Sequence, residues 1–208
     1  MDNELRINFR NANFELIKSI LDVNDSEIFK LYDECDLLGY PDKPPGSLWT
    51  NEGKLIYILI RLLKPNNILE LGNYKGVSTN FILKALRKNQ TGKVTLVDID
   101  CQLDYSSLNS YPFIRYVDDT LKFLRKKNKF DFILVDDNHD YKHVKKELQL
   151  IRENNFSESL IILGHDYFSA PRDNVNVKKA VDEESFKWSK FFTSITNESD
   201  CGQYILIK

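Results

Sequence analysis

The sequence has few cysteines and no excess of charge of one sign, and each of these features excludes a class of protein. Its 3 cysteines, Cys35, Cys101 and Cys201, are scattered and form no CxxC pair. We therefore expect reduced thiols and no zinc site built from thiolates. The 29 basic residues are balanced by 31 acidic ones, for a formal net charge of -2. This balance argues against a protein that binds nucleic acid through its bulk charge.

The sequence also lacks a long apolar run. No stretch approaches the roughly 20 apolar residues that are needed to span a bilayer. The first residues, MDNELRINFR, are polar and mixed in charge, which is typical of neither a secretory signal nor a membrane anchor. We therefore expect a cytoplasmic protein that does not act at membranes. The length of 208 residues is that of one compact domain.

The N-terminal part of the chain is predicted to be helical. Hydrophobic periodicity predicts a helix over residues 11–38, and the proline- and glycine-rich stretch Gly39–Ser47 is a predicted loop. We therefore divide the compact chain into an N-terminal helical cap, residues 1–46, and a main domain, residues 47–208. The cap either covers the active site of its own chain or packs on a second copy, so a homodimer stays open.

Short apolar runs in the main domain do not alternate with polar residues, which is typical of strands buried on both faces. Strands are predicted at residues 67–71, 93–99, 113–117, 131–136 and 159–164. Helices are predicted at residues 52–63, 77–88, 118–127, 140–153 and 178–186, and Thr50 is the predicted N-cap of the first of these helices. This alternation predicts an α/β fold with a doubly wound, Rossmann-like, mostly parallel sheet. The last two runs, FFTSI and QYILIK, are joined too briefly for a parallel crossover, so they are predicted to form an antiparallel pair at one edge.

A glycine turn, ILELGNYKGVS, joins the first strand to its helix. The spacing of Gly72 and Gly76 matches neither the G-x-G-x-x-G of dinucleotide folds nor a P-loop. Glycine at these positions lets the backbone approach a ligand closely and turn into the helix. Glu70, just before the turn, is placed to accept hydrogen bonds from a cationic amino-acid group. The turn therefore suits a positively charged ligand better than a pyrophosphate.

Acids also end the second and third strands. Asp98 follows the turn by about 25 residues, which places it to hold the two hydroxyls of a ribose. Asp119 follows the third strand, where an adenine edge could be read, although it also suits the N-cap of the next helix. For the whole set, the alternative is an ordinary strand–turn–helix arrangement with capping acids.

Five segments between residues 50 and 184 carry a resemblance to a known family: ILELGNYKGVST, TLVDID, FDFILVDDNHDYKHVKKEL, LIILGHDY and VKKAVDE. The sequence resembles the class I S-adenosylmethionine-dependent methyltransferases, and within them a small O-methyltransferase-like group with D-G-D-H-x-Y-like and H-D-Y strand ends. The resemblance implies S-adenosylmethionine as cofactor, with the binding residues Glu70, Gly72, Asn73, Gly76, Ser78, Asp98, Asp119 and Asp136. In two departures, Asp137 stands where the group usually has glycine, and FSES replaces a Gly-Gly before the fifth strand.

In the strand order that this resemblance implies, the fourth strand lies between the first and the fifth, and neighbouring strands are ~4.8 Å apart. Asp136 and Asp166 would then lie close together, and two such carboxylates repel unless a cation or a proton joins them. Members of the group often bind a divalent ion here, so we expect Mg²⁺ at Asp136, His165 and Asp166. The alternative is that the two acids accept hydrogen bonds from local amides.

The three histidines of the chain are His139, His143 and His165, and two of them lie at these strand ends. We expect His139 to act as general base beside Asp136, because an imidazole titrates near neutral pH. His165 is a second base, a metal ligand or a structural hydrogen-bonding group. His143 lies one helical turn beyond His139, so it either faces the same pocket or lies at the surface.

Together these features predict a Mg²⁺-assisted, S-adenosylmethionine-dependent O-methyltransferase that acts on a small hydroxylated molecule, a sugar or a phenol. One alternative is a non-catalytic partner subunit that binds S-adenosylmethionine or S-adenosylhomocysteine. Another is a relative of the hydroxylase-associated proteins of natural-product pathways. An NAD-dependent oxidoreductase is disfavoured because the third glycine of the dinucleotide fingerprint is missing and Glu70 precedes the turn.

Overall fold

A single mixed sheet forms the centre of the protein. The computed structural model describes residues 13–39, 48–100, 102, 111–171, 173–194 and 201–208. Its strands are β1 (Asn67–Leu71), β2 (Lys93–Asp98), β3 (Phe113–Val117), β4 (Phe132–Val135), β5 (Ile161–His165), β6 (Lys190–Ser194) and β7 (Gln203–Ile207). They lie in the order β3-β2-β1-β4-β5-β7-β6. β1 to β5 are parallel, and β7 pairs antiparallel with both β5 and β6. The predicted fold class is confirmed.

Helices cover both faces of this sheet. They are α1 (Asp25–Leu37), α2 (Thr50–Leu63), α3 (Val77–Asn89), α4 (Thr120–Leu124), α5 (Tyr141–Asn154) and α6 (Val177–Ser185). Residues 13–20 form a further helix before α1. Within the described ranges, no helix combines the length and the apolar character that a membrane span requires. The predicted loop at residues 39–47 lies outside these ranges except for Gly39.

The single helix predicted over residues 11–38 is wrong, because the helix is interrupted between residues 21 and 24. The cause is Asn24, whose side chain accepts a hydrogen bond from the backbone amide of Glu27 at 2.9 Å and starts α1 as its N-cap. Asparagine offers the backbone this local alternative to a continuous helix. Periodicity alone does not reveal such a break, since apolar residues continue on both sides of it.

The start of α2 also differs from the prediction by one residue. Trp49 is the N-cap and Thr50 is the first helical residue. The carboxylate of Glu52 accepts a hydrogen bond from the backbone amide of Trp49 at 2.6 Å. This is the glutamate half of a capping box, in which the third helical residue satisfies the amide of the N-cap. The position of the glutamate therefore determines where the helix begins.

Each central strand contributes alternate side chains to two hydrophobic cores. Ile68 of β1 and Phe132 of β4 lie in the core under α1, α2 and α3, whereas Leu69 and Ile133 lie in the core under α4, α5 and α6. Successive strand residues point to opposite faces, so near-continuous apolar strands are what a sheet covered on both sides requires.

The N-terminal helices belong to the first of these cores. Ile17 and Ile28 are fully buried in it together with residues of α2. Glu34 of α1 accepts hydrogen bonds from Arg61 at 2.8 Å and from the Tyr57 hydroxyl. Helix α1 is thus joined to α2 by apolar and by polar contacts. The division at residue 46 stays a prediction.

Candidate functional site

A cavity of about 610 Å³ lies at the carboxyl ends of the parallel strands. The sheet order reverses at β1, which pairs with both β2 and β4, and ligands of open α/β folds bind at such a switch point. Nine residues of the predicted site line the cavity together with Asp137, Thr120 and His143: Gly72, Asn73, Ser78, Asp98, Asp119, Asp136, His139, His165 and Asp166. Two predicted cofactor residues, Glu70 and Gly76, do not line it.

The glycine turn packs directly on the end of β4. Gly72 has φ +80°, and a Cβ there would collide with the backbone oxygen of Asp136 and lie 2.5 Å from the Cα of Asp137. Only glycine tolerates both this conformation and this close approach. Gly76 has φ +85° and is the N-cap of α3, so its role is to turn the chain into the helix. The backbone of β4 thus lies beside the turn, as the predicted strand order requires.

Asp98 holds the glycine turn in place. One of its carboxylate oxygens accepts hydrogen bonds from the amides of Asn73 and Tyr74 at 2.8 and 2.9 Å, and the other accepts one from the amide of Asp100 at 3.1 Å. Tyr74 has φ +40°, which a residue other than glycine rarely adopts. A carboxylate has about four acceptor positions, so Asp98 retains capacity for a ligand hydroxyl.

Asn73 and Ser78 line the cavity beside this turn. Asn73 is 2% exposed, and neither its amide nitrogen nor its amide oxygen has a hydrogen-bond partner among the described residues. Buried polar groups are normally paired, so an unpaired buried amide at a cavity wall is suited to a polar ligand. The Ser78 hydroxyl donates to Glu70.

Glu70 is fully buried and is turned away from the cavity. Its oxygens accept hydrogen bonds from the hydroxyls of Ser78 and Thr79, the second at 2.8 Å. Burial raises the pKa of its carboxyl to about 8, against those two hydrogen bonds. The predicted direct contact with a cationic ligand is therefore not supported by this geometry. Glu70 instead orients the first turn of α3.

Asp119 is the N-cap of α4 and accepts a hydrogen bond from the amide of Lys122 at 2.8 Å. It also lines the cavity, so the two interpretations of this residue are compatible. The next residue, Thr120, is buried and directs its hydroxyl toward the end of β4.

Asp136, His139, His165 and Asp166 form one contiguous group, which we call the Asp136 cluster. His139 Nε2 lies 2.7 Å from an Asp166 oxygen and 3.6 Å from an Asp136 oxygen. His165 Nδ1 lies 2.9 Å from Asp166 and 3.5 Å from Asp136. The two strand ends, thirty residues apart in the chain, are thus brought together as predicted from the neighbouring positions of β4 and β5.

Charge in the Asp136 cluster is balanced by its histidines. Hydrogen bonding to Asp136 and Asp166 raises the pKa of His139 to about 10, although burial opposes this. The pKa of Asp166 is held well below its usual range by His139 and His165, again against burial. Asp166 also has φ +60°, an unfavourable conformation for a residue with a side chain. Strain of this kind persists where the surrounding contacts enforce it.

Glu52 lies behind the Asp136 cluster and was not identified from the sequence as part of the site. Its Oε2 lies 3.0 Å from His165 Nε2 and also accepts the Trp49 amide, while none of the residue is exposed. His165 is thereby held between Glu52 and Asp166. Burial lowers its pKa, but the charge of Asp136 and hydrogen bonding to Asp136, Asp166 and Glu52 together raise it well above its usual value. In the sequence, the position of Glu52 indicates only the start of a helix. Its contact with His165 depends on how α2 packs against β5, which the sequence does not reveal.

Asp137, His143 and Glu147 form a second group, which we call the Asp137 cluster. His143 Nε2 lies 3.0 Å from an Asp137 oxygen, 3.1 Å from the Thr120 hydroxyl and 3.7 Å from Glu147 Oε1. His143 therefore lies at the cavity wall, so the surface interpretation of this residue is wrong. In the sequence, His143 and Glu147 are four residues apart, which places them on the same face of a helix. This spacing is the feature from which the group could have been predicted.

The segment after Asp166 is attached to the start of α5. The backbone of Asn174 accepts a hydrogen bond from the amide of Tyr141 at 2.8 Å, and the amide of Asn176 donates to His139 at 3.1 Å. Val175 lines the cavity. Residues 174–176 are thus fixed to the site.

The comparisons with known proteins agree with this architecture. Residues 69–167, just under half of the chain, match a family described as a methyltransferase domain. A catechol O-methyltransferase of Niastella koreensis is 34% identical over 92 residues, which cover 36% of this chain and 41% of that enzyme. The match thus spans less than half the length of that relative.

Solved structures resemble the protein over nearly its whole length. An O-methyltransferase from Bacillus cereus in complex with S-adenosylhomocysteine has a TM-score of 0.61 at 15% identity, covering 94% of this chain and 96% of that one. The O-methyltransferase TomG from Streptomyces achromogenes, in complex with S-adenosylmethionine, has a TM-score of 0.58 at 15% identity over 94% and 95% of the two chains. At this low identity, these structures share the fold of the present protein.

Proposed function

We propose that this protein is an S-adenosylmethionine-dependent O-methyltransferase that acts on a hydroxyl of a small molecule, a sugar or a phenol, with assistance from Mg²⁺. The observation that carries the proposal is the position of the Asp136 cluster, which lies in the same cavity as the glycine turn. A cofactor site and an acid–base site at one switch point are what transfer to an oxygen requires.

We assign the cofactor to the part of the cavity formed by the glycine turn, Asp98 and Asp119. The unpaired amide of Asn73 is available to a polar ligand group there, and Asp98 keeps capacity to accept hydrogen bonds from a ribose. When bound, S-adenosylmethionine supplies an electrophilic methyl group on a positively charged sulfur. The carboxylates of Asp98, Asp119 and Asp136, which face the cavity, favour a ligand of positive charge.

We assign the acceptor to the part of the cavity lined by the Asp136 cluster. One oxygen or nitrogen from each of Asp136, His165 and Asp166 lies within 4.8 Å of the others, which fits a divalent cation. Mg²⁺ prefers oxygen ligands, so Asp136 and Asp166 would hold it and His165 would orient them. A cation at this position supplies Lewis acidity, which lowers the pKa of a hydroxyl nearby.

His139 is the group of this chain that is placed to exchange a proton with the acceptor. Its side chain is 38% exposed and lines the cavity. Paired with two carboxylates it keeps its proton at neutral pH, as its raised pKa shows. Its function as a base therefore depends on neutralisation of Asp136 and Asp166, which removes the cause of that raised pKa.

A non-catalytic partner subunit is the main alternative, and a natural-product hydroxylase-associated relative is the other. The cytoplasmic location, the single-copy or dimeric state and the absence of nucleic-acid and membrane partners stay predictions. Among the described residues before position 50, only Leu48 lines the cavity. Most of the described N-terminal helices therefore support α2 instead of contacting an acceptor.

The test is calorimetric titration of S-adenosylhomocysteine into the purified protein, first with Mg²⁺ and then with EDTA. It is followed by transfer of a labelled methyl group to a panel of catechols, phenols and sugars. We expect micromolar binding in both buffers and Mg²⁺-dependent transfer to one acceptor class. Binding without transfer to any hydroxyl would favour the partner subunit, and failure to bind in either buffer would overturn the proposal.

A further inference from the structure

We propose that the Asp137 cluster is a second metal site, separate from the Asp136 cluster, which holds one transition-metal ion such as Zn²⁺, Co²⁺ or Mn²⁺ through His143, Asp137 and Glu147. The site does not depend on the proposed methyl transfer. It is formed by the end of β4, the start of α4 and one face of α5.

The geometry brings three different ligand types to one point. A nitrogen of His143 faces oxygens of Asp137 and Glu147, and the three ligand atoms lie within 4.8 Å of one another. The Thr120 hydroxyl is 2.5 Å from Asp137 and 3.1 Å from the same His143 nitrogen, so it offers a further oxygen. A metal ion binds such ligand atoms at about 2.0–2.2 Å. Small side-chain movements would bring the three ligand atoms to that distance from a common centre.

The surroundings of Glu147 indicate that this cluster binds a cation. None of this residue is exposed, and neither carboxyl oxygen has a hydrogen-bond partner among the described residues. His143 Nε2 lies 3.7 Å from its Oε1, beyond hydrogen-bond distance. Burial, together with the carboxyl of Asp137, raises the pKa of Glu147 to about 8. A buried carboxyl without a partner is costly, and a cation would satisfy it.

A second buried polar group without a described partner belongs to strand β7. The Tyr204 hydroxyl of β7 is buried without a hydrogen-bond partner in the described structure. Burial and then the charges of Glu147, Asp137 and Asp136 raise its pKa well above the usual value. Its ring occupies the space that a side chain at Gly164 would need.

The donor set selects the class of metal. One imidazole and two carboxylates suit Zn²⁺, Co²⁺ or Mn²⁺. Mg²⁺ instead prefers ligands that are all oxygen, and it keeps several bound waters. Asp137, His143 and Thr120 line the cavity, so an ion has an entry path from solvent. Bound there, it would fix the turn after Asp136 against α4 and α5.

The experiment is a titration of Co²⁺ into metal-free protein that carries Asp166→Asn, which weakens the Asp136 cluster. Visible absorption reports mixed nitrogen and oxygen coordination. His143→Gln is the test variant and His139→Gln is the matched control, both in the same background. We expect one equivalent to bind with Co²⁺ absorption bands that Zn²⁺ displaces. We expect at least about a tenfold loss of affinity in His143→Gln, since even outer-shell changes cost that much, and no comparable loss in His139→Gln.

Circular dichroism confirms that each variant is folded. If His143→Gln does not fold, Glu147→Gln replaces it with the same expected loss. Equal Co²⁺ binding by the background protein and the test variant would overturn the proposal, as would the lack of any bound equivalent. Either result would mean that a protonated Glu147 and a charged His143 satisfy the cluster without an ion.

Discussion

The two acid–histidine clusters begin at adjacent residues, Asp136 and Asp137, yet their surroundings differ. The Asp136 cluster is open to the cavity, and its His139 is 38% exposed. The Asp137 cluster ends on Glu147, of which nothing is exposed. Successive residues at a strand end point to opposite sides, so one carboxylate meets β5 and the other meets α4 and α5.

This difference separates reactivity from stability. Exposed charges that face a cavity can be reorganised by a ligand at low cost, whereas buried polar groups contribute to stability only if each is paired. We therefore expect substitutions in the Asp136 cluster to affect transfer, and substitutions in the Asp137 cluster to affect unfolding.

The largest expected effect is on methyl transfer by Asp136→Asn. Loss of this carboxylate should lower the rate by about 10²–10⁴-fold, the usual contribution of acid–base groups, and leave S-adenosylhomocysteine affinity close to that of the wild type. Asp98→Ala is the matched variant and should weaken that affinity by about tenfold, because about 1 kcal/mol or more of hydrogen bonding is lost. Calorimetry and a transfer assay measure both; full activity of Asp136→Asn in EDTA would contradict the assignment.

Gly72→Ala should disturb both clusters at once. A Cβ at this position meets the backbone of Asp136 and Asp137, and φ is +80°. We expect a loss of about 3 kcal/mol in unfolding free energy from strain and overlap together. Gly39→Ala, at φ +67° with nothing within 4 Å, should lose about 1 kcal/mol. Urea unfolding compares the two, and equal losses would show that the contact with β4 is unimportant.

His143→Gln should lower stability more than His139→Gln does. The first removes a half-buried partner of Asp137 and Glu147, for which we expect a loss of about 1–3 kcal/mol. The second removes a partly exposed group, for which we expect under about 1 kcal/mol. Denaturation in EDTA keeps metal out of the comparison. The reverse order of stabilities would mean that the two clusters have exchanged roles.

The last effect is a change in pH dependence at Glu70, a buried acid with no histidine partner. Its folded pKa, about 8, lies above its unfolded value of 4.5, so its contribution is most favourable below pH 4.5 and is lost as pH rises toward 8. Glu70→Gln removes this loss. The melting temperature of the variant relative to wild type should rise by at least about 2–4 °C between pH 5 and 8, since the loss grows by up to about 1.4 kcal/mol for each pH unit in this range.

Glu158→Gln is the control for this measurement, since Glu158 is exposed. Its melting temperature should follow that of the wild type at every pH. A constant difference between Glu70→Gln and wild type across the same range would show that Glu70 is ionised in the folded protein.

Much of the fold was predictable because its signals are local. Apolar runs identified β1, β2, β3, β4 and β5, and their boundaries agree with the structure to within one or two residues. The interruption before α1 was missed, because Asn24 acts through a single side-chain hydrogen bond that periodicity does not register. The helix predicted over 118–127 is shorter in the structure, Thr120–Leu124, although its N-cap Asp119 was anticipated.

For the site, the sequence alone determined which residues stand at the ends of strands. Asp98, Asp136, His165 and Asp166 follow apolar runs, and the carboxyl ends of parallel strands share one edge, so their meeting could be anticipated. Tertiary structure decided what each side chain contacts. It turned Glu70 onto Ser78 and Thr79, and it brought Glu52 to His165 across the packing of α2 on β5. These side-chain contacts depend on how the helices pack on the sheet. That packing is determined by interactions between residues far apart in the chain, so the local sequence pattern does not reveal it.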